Sequence, residues 1–82
     1  MQKLTLEKVF EYASSPVHGT LSRKLRKGVK IQVNEGKVFE NATLFLGDEF
    51  IRITAKLGEE TSNTYYDWDK VVSVTTIGKV EE

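Results

Sequence analysis

A mainly β chain is the fold class this sequence predicts: one N-terminal α-helix, then a small, strongly bent antiparallel barrel of about five strands. Three observations predict it. Apolar residues recur at helical spacing near the start, at Leu6, Val9, Phe10 and Ala13. Past Gly28 the apolar period drops to two, in short runs separated by turn residues. No segment between those runs has the pattern of a crossover helix, so the strands must pair antiparallel and curl to shorten their open edges. At 82 residues the chain is one domain. It divides into a helix over 1–15, a basic loop over 16–28, a barrel over 29–77 and a tail over 78–82.

Each element has a local cause. Thr5 or a neighbour caps the helix, Glu7 in its first turn complements the helix dipole, and Ser14-Ser15-Pro16 ends it, because a residue before proline avoids the helical region. A helix this short must lie against something to persist. Pro16, Gly19 and Gly28 punctuate the next stretch, where Leu21 and Leu25 fit either one helical turn or a basic loop. Val29, Ile31 and Val33 alternate with Lys30, Gln32 and Asn34 in the first strand, and Asn34-Glu35-Gly36 is turn chemistry. Val38 to Leu46 reads as a single second strand. Gly47-Asp48 signals a tight hairpin in which Gly supplies positive φ, and Phe50 to Lys56 is the returning strand. Leu57 to Asn63 is polar and carries Gly58, which reads as a loop. Thr64 to Trp68 is an aromatic strand, and Val71 to Ile77 is the last β-branched run before a fraying tail.

Composition narrows the function classes. Apolar residues at 39% and charged residues at 29% give a globular balance, neither disordered nor fibrous. There is no Cys, hence no disulfide framework and no thiolate metal site, which favours a reducing, cytoplasmic setting. The opening residues alternate apolar and charged types, unlike a signal peptide, and no run reaches the roughly 18 apolar residues of a membrane span. His18 stands alone, and the acid pairs Asp48-Glu49, Glu59-Glu60 and Asp67 with Asp69 read as solvated turn acids. No phosphate-cradling glycine motif, zinc spacing or nucleophile elbow is present. The expectation is a binding module and not an enzyme, with no catalytic residue, metal or cofactor.

Two groups of residues carry binding chemistry. Arg23, Lys24, Arg26, Lys27 and Lys30 are five cations in eight positions without an intervening acid. Clustered cations bind polyanions by releasing counterions. The charge is lopsided: residues 1–41 hold eight Lys/Arg against four Glu, and residues 42–82 hold four Lys/Arg against eight Asp/Glu. Such asymmetry suits an anionic partner or head-to-tail contact between copies. The second group is Tyr65, Tyr66 and Trp68. On a strand Tyr66 and Trp68 share a face and Tyr65 takes the other. Exposed aromatics on a sheet stack on bases, while aromatics in so small a chain also build the core. Phe39, Phe45 and Phe50 include residues opposite the aliphatic stripe, which mark a contact surface between subunits or a second layer under the helix.

The stretch from Gly28 to Gly36, with Asp48 twelve residues later opening Glu49-Phe50-Ile51-Arg52-Ile53, resembles an Sm-like domain of the bacterial Hfq type over roughly residues 28–77. The resemblance implies a helix before a five-stranded bent barrel, a homo-oligomer, and binding of single-stranded RNA. The sequence departs from that family in three places. Asn41 or Ala42 stands where a mid-strand glycine is usual, Tyr66-Asp67-Trp68-Asp69 replaces the Tyr-Lys-His type of signature, and Thr76-Ile77-Gly78 replaces the Arg-Gly pair. These departures bear on RNA binding more than on the fold. The functional expectation is therefore a homo-oligomeric module that binds RNA or another polyanion through residues 23–30, with the aromatic group beside it. The alternative is a protein-interaction adaptor or inhibitor with an SH3-like or PH-like barrel. No membrane partner is expected.

Overall fold

The helix persists because its apolar stripe has a sheet to lie against. In the computed structural model, which describes residues 1–78, α1 runs Lys3–Ala13 and buries Leu6, Phe10 and Ala13. It starts at Lys3 with no side-chain cap, so Glu7 falls beyond the first turn and Thr5 lies inside the helix, contrary to the sequence expectation. Its end is secured by Ser14, whose backbone N–H and side-chain hydroxyl both donate to the Phe10 carbonyl. That satisfies an otherwise orphaned helix-end acceptor.

Eight strands follow among the described residues: β1 (Ser14–Pro16), β2 (Ser22–Leu25), β3 (Lys30–Val33), β4 (Val38–Glu40), β5 (Thr43–Leu46), β6 (Phe50–Leu57), β7 (Glu60–Asp67) and β8 (Val74–Ile77), with a 3-10 turn at Trp68–Lys70. They form two antiparallel sheets, ordered β1-β2-β5-β6-β7 and β4-β3-β8. The fold is thus mainly β with one N-terminal helix. Among the described residues no pairing joins β7 to β8, so hydrogen bonding does not close the sheets into a barrel.

Three sequence expectations are corrected, each for a physical reason. Residues 16–28 are not one irregular loop, because Ser22–Leu25 pairs with β1 on one side and β5 on the other. The Val38–Leu46 strand is broken at Asn41, whose φ of 55° belongs to the left-handed region. Asparagine tolerates that conformation better than most residues. The break sends β4 and β5 into different sheets, and it turns Phe39 into the core instead of onto the opposite face. Leu57–Asn63 is not a loop, since Glu60 pairs directly with Leu57 and β7 begins there, the turn needing only Gly58 and Glu59. The tail expectation for 79–82 lies outside the described residues.

Between the sheets and α1 lies a core of Leu6, Phe10, Leu25, Ile31, Val33, Phe39, Leu44, Ile51, Ile53, Trp68 and Val71. Each large aliphatic or aromatic side chain so buried contributes about 1.5–3 kcal/mol. Gly47 does not adopt positive φ; it is needed for close approach, since a Cβ there would lie 3.0 Å from the Phe50 carbonyl oxygen and 3.2 Å from its ring. Asn34 ties the sheets' ends together. Its Oδ1 accepts from Val72 N at 2.7 Å and Ser73 N at 3.3 Å, and its Nδ2 donates to Lys70 O at 3.0 Å.

Candidate nucleic-acid interface

Strand pairing decides which side chains share a surface, because directly opposed residues on neighbouring strands point to the same face. In the five-stranded sheet one row reads Ser22, Phe45, Arg52, Tyr65 across β2, β5, β6 and β7. The next row on that face reads Ser15, Lys24, Thr43, Thr54, Asn63. Phe50 opposite Asp67 completes it at the other end. The alternate face of the same strands carries Leu44, Ile51 and Ile53 into the core. The rows above form the sheet's outer face.

That face holds a ring cluster around a cation. The Phe45 and Phe50 centroids are 6.1 Å apart, and those of Phe50 and Tyr65 are 5.9 Å apart, both pairs tilted. These spacings fall within the favourable aromatic range. The Arg52 guanidinium carbon sits 5.1 Å from the Phe45 centroid, in cation–π range. Its Nε is buried without a hydrogen-bond partner among the described residues. No carboxylate among the described residues pairs with Arg52. Tyr65 is 59% exposed. In the adjoining row the Thr54 hydroxyl donates to Asn63 Oδ1 at 2.6 Å, and Lys24 is exposed.

The five clustered cations of the sequence do not form one surface. Strand alternation turns Arg23 inward, where Nε donates to Ser14 Oγ at 2.9 Å and Nη2 donates to Ser14 O at 3.1 Å. Arg23 thereby joins β2 to the end of α1, at a hollow also lined by Glu7, Glu11 and Leu46. Arg26 donates from Nε to Tyr12 O at 3.0 Å. Lys30 stands opposite Glu40 on the three-stranded sheet, with Nζ 3.8 Å from the carboxylate. The Lys24 and Lys27 side chains make no hydrogen bond or ion pair with the described residues, and only Lys24 lies on the outer face with Arg52.

The aromatic group also separates. Trp68 is a core residue whose Nε1 donates to Gly47 O at 3.0 Å. Tyr66 is half-buried against the core opposite Ile51, and Tyr65 alone faces outward. Phe45, Phe50 and Arg52 complete the outer cluster. The sequence signal for them is alternation within each strand, Phe45 against Leu44 and Leu46, and Phe50 and Arg52 against Ile51 and Ile53, but only the register places Arg52 between Phe45 and Tyr65. His18 is exposed in the β1–β2 turn. Among the described residues no set of three His, Asp or Glu side chains is placed to hold a metal ion, and no helix is long and apolar enough to cross a membrane. Comparison of the chain with protein-family models, with characterised proteins and with solved structures finds no match.

Proposed function

We propose that this protein is a non-enzymatic, cytoplasmic binding module that takes single-stranded RNA on the outer face of its five-stranded sheet. One observation carries the reading: Arg52 is laid on the Phe45 ring, between aromatic neighbours on an open sheet face, with no carboxylate among the described residues paired to it. A cation held this way meets a phosphate with little further ordering of its side chain. Tyr65 and the Phe50 edge offer stacking surface to bases, and Lys24 adds a second charge along the face. In this reading the contact moves from the 23–30 segment as a whole to Lys24 together with Arg52 and the rings.

The fold side of the proposal is a small barrel of Sm-like kind. It is supported by the strand succession β8-β3-β4, continued through the Asn41 bend into β5-β6-β7. Homo-oligomer formation belongs to the same reading. It rests on exposed Val38, Val72 and Ile77 around the three-stranded sheet, at 42%, 82% and 42% exposure.

The test is fluorescence anisotropy with a labelled oligouridylate of about ten nucleotides at about 50 mM salt. The parent protein binds, with affinity falling as salt rises. Arg52→Ala and Tyr65→Ala each weaken binding about tenfold, and Arg52→Glu removes it. A parent protein that does not bind at low salt, or an Arg52→Glu protein that binds like the parent, overturns the proposal.

A further inference from the structure

The open edges of the two sheets are unequal. β1 is three residues long and ends in Pro16, which has no N–H to offer, β4 is three residues and β8 is four. Short strands and proline are the usual protections of a sheet edge. β7 is eight residues long, carries no Lys, Arg or Pro, and forms the border of the five-stranded sheet. The bond from Trp68 N to Glu49 O fixes the phase of its ladder with β6. Even-numbered residues bond inward, and Thr61, Asn63, Tyr65 and Asp67 turn their N–H and C=O groups outward. No backbone group of the described residues meets them.

The charge along that edge has one sign. Glu59 and Glu60 stand at one end, Asp67 and Asp69 at the other; all four are exposed, and none pairs with a described cation. A second copy of β7 is a poor occupant. Antiparallel self-pairing through the outward groups of the odd residues brings Glu59 opposite Asp67 or Asp69, and like charges directly opposed are destabilising.

We propose that the β7 edge docks an extended, cationic segment of another protein by strand addition. The segment runs antiparallel to β7, with Lys or Arg opposite Glu60 and opposite Asp67. An apolar or aromatic residue lies beside Tyr65, lengthening the row Ser22-Phe45-Arg52-Tyr65 by one strand. Main-chain hydrogen bonds supply the affinity and the two end charges set the register.

A synthetic peptide of about ten residues, alternating Val and Thr with lysines seven positions apart to match Glu60 and Asp67, is the probe. Its counterparts replace the lysines with glutamates, or N-methylate the central backbone while keeping the charges. Binding is read by calorimetry, with light scattering on the protein alone. The lysine peptide binds, and the other two bind at least about tenfold more weakly. Thr61→Pro removes an outward N–H without touching the β6 ladder, so it lowers affinity by a similar factor while the thermal melt is retained. Glu60→Lys/Asp67→Lys reverses the preference to the glutamate peptide. Equal binding of the N-methylated peptide, no binding of the lysine peptide, or a dimer that Thr61→Pro dissociates overturns the proposal. Oligouridylate binding is measured on the same variants, so a failure here is separable from failure of the sheet-face reading.

Discussion

The outer faces of the two sheets carry similar residues in different company. On the three-stranded sheet Lys30 faces Glu40 across β3 and β4, both half exposed, and the cation is spent on its neighbour. On the five-stranded sheet Arg52 faces Phe45 and Tyr65, and its charge has no internal counterpart among the described residues. The difference lies in the opposed residue, not in the amount of charge. A cation across from a carboxylate contributes a little to the fold, whereas a cation across from rings is held in place and remains available to a ligand.

Substitutions at three positions test that contrast. The largest effect is expected at the bend that separates the faces. Asn41→Val forces a β-branched residue into the left-handed region and should cost about 1–3 kcal/mol of stability, while Asn41→Gly should be close to neutral, both read from urea unfolding midpoints. Next, Tyr65→Glu gives Arg52 the kind of partner that Lys30 already has. Oligonucleotide affinity should fall by about tenfold with the melting temperature nearly unchanged, and unchanged affinity would undo the comparison. The smallest effect comes from Glu40→Gln, which frees Lys30 instead. It should cost less than about 1 kcal/mol and leave oligonucleotide binding within about twofold, because no ring holds the released lysine.

How much of this was legible in the sequence follows from how local each cause is. The helical stripe Leu6–Ala13 and the alternation of β3 and β6 are written in their own residues, and the structure has them within a few positions. β2 was not legible. Its sequence, Ser-Arg-Lys-Leu, buries only Leu25 and is held by backbone pairing to distant β5. The start of β7 is hidden in the sequence because its first residues, Glu60 and Thr61, are polar and exposed near the hairpin tip. The Asn41 break hid inside a run of good strand formers. For the site, the density of cations from Arg23 to Lys30 was visible, but their dispersal was not, since alternation along β2 and the Glu40 pairing appear only with the register. The role of Arg52 is hidden in the sequence for the same reason: its meaning is its neighbours across the strands.

The placement of β3 bears on how the chain is made. β3 lies between β4, its immediate successor in the chain, and β8, the last of the described strands. During synthesis one side of β3 can zip up within moments, while the other waits until Val74–Ile77 has left the ribosome. For that interval Ile31 and Val33 have only a partial covering. A ribosome pause before Val74–Ile77 emerges would therefore prolong the window in which the nascent chain is a substrate for chaperones.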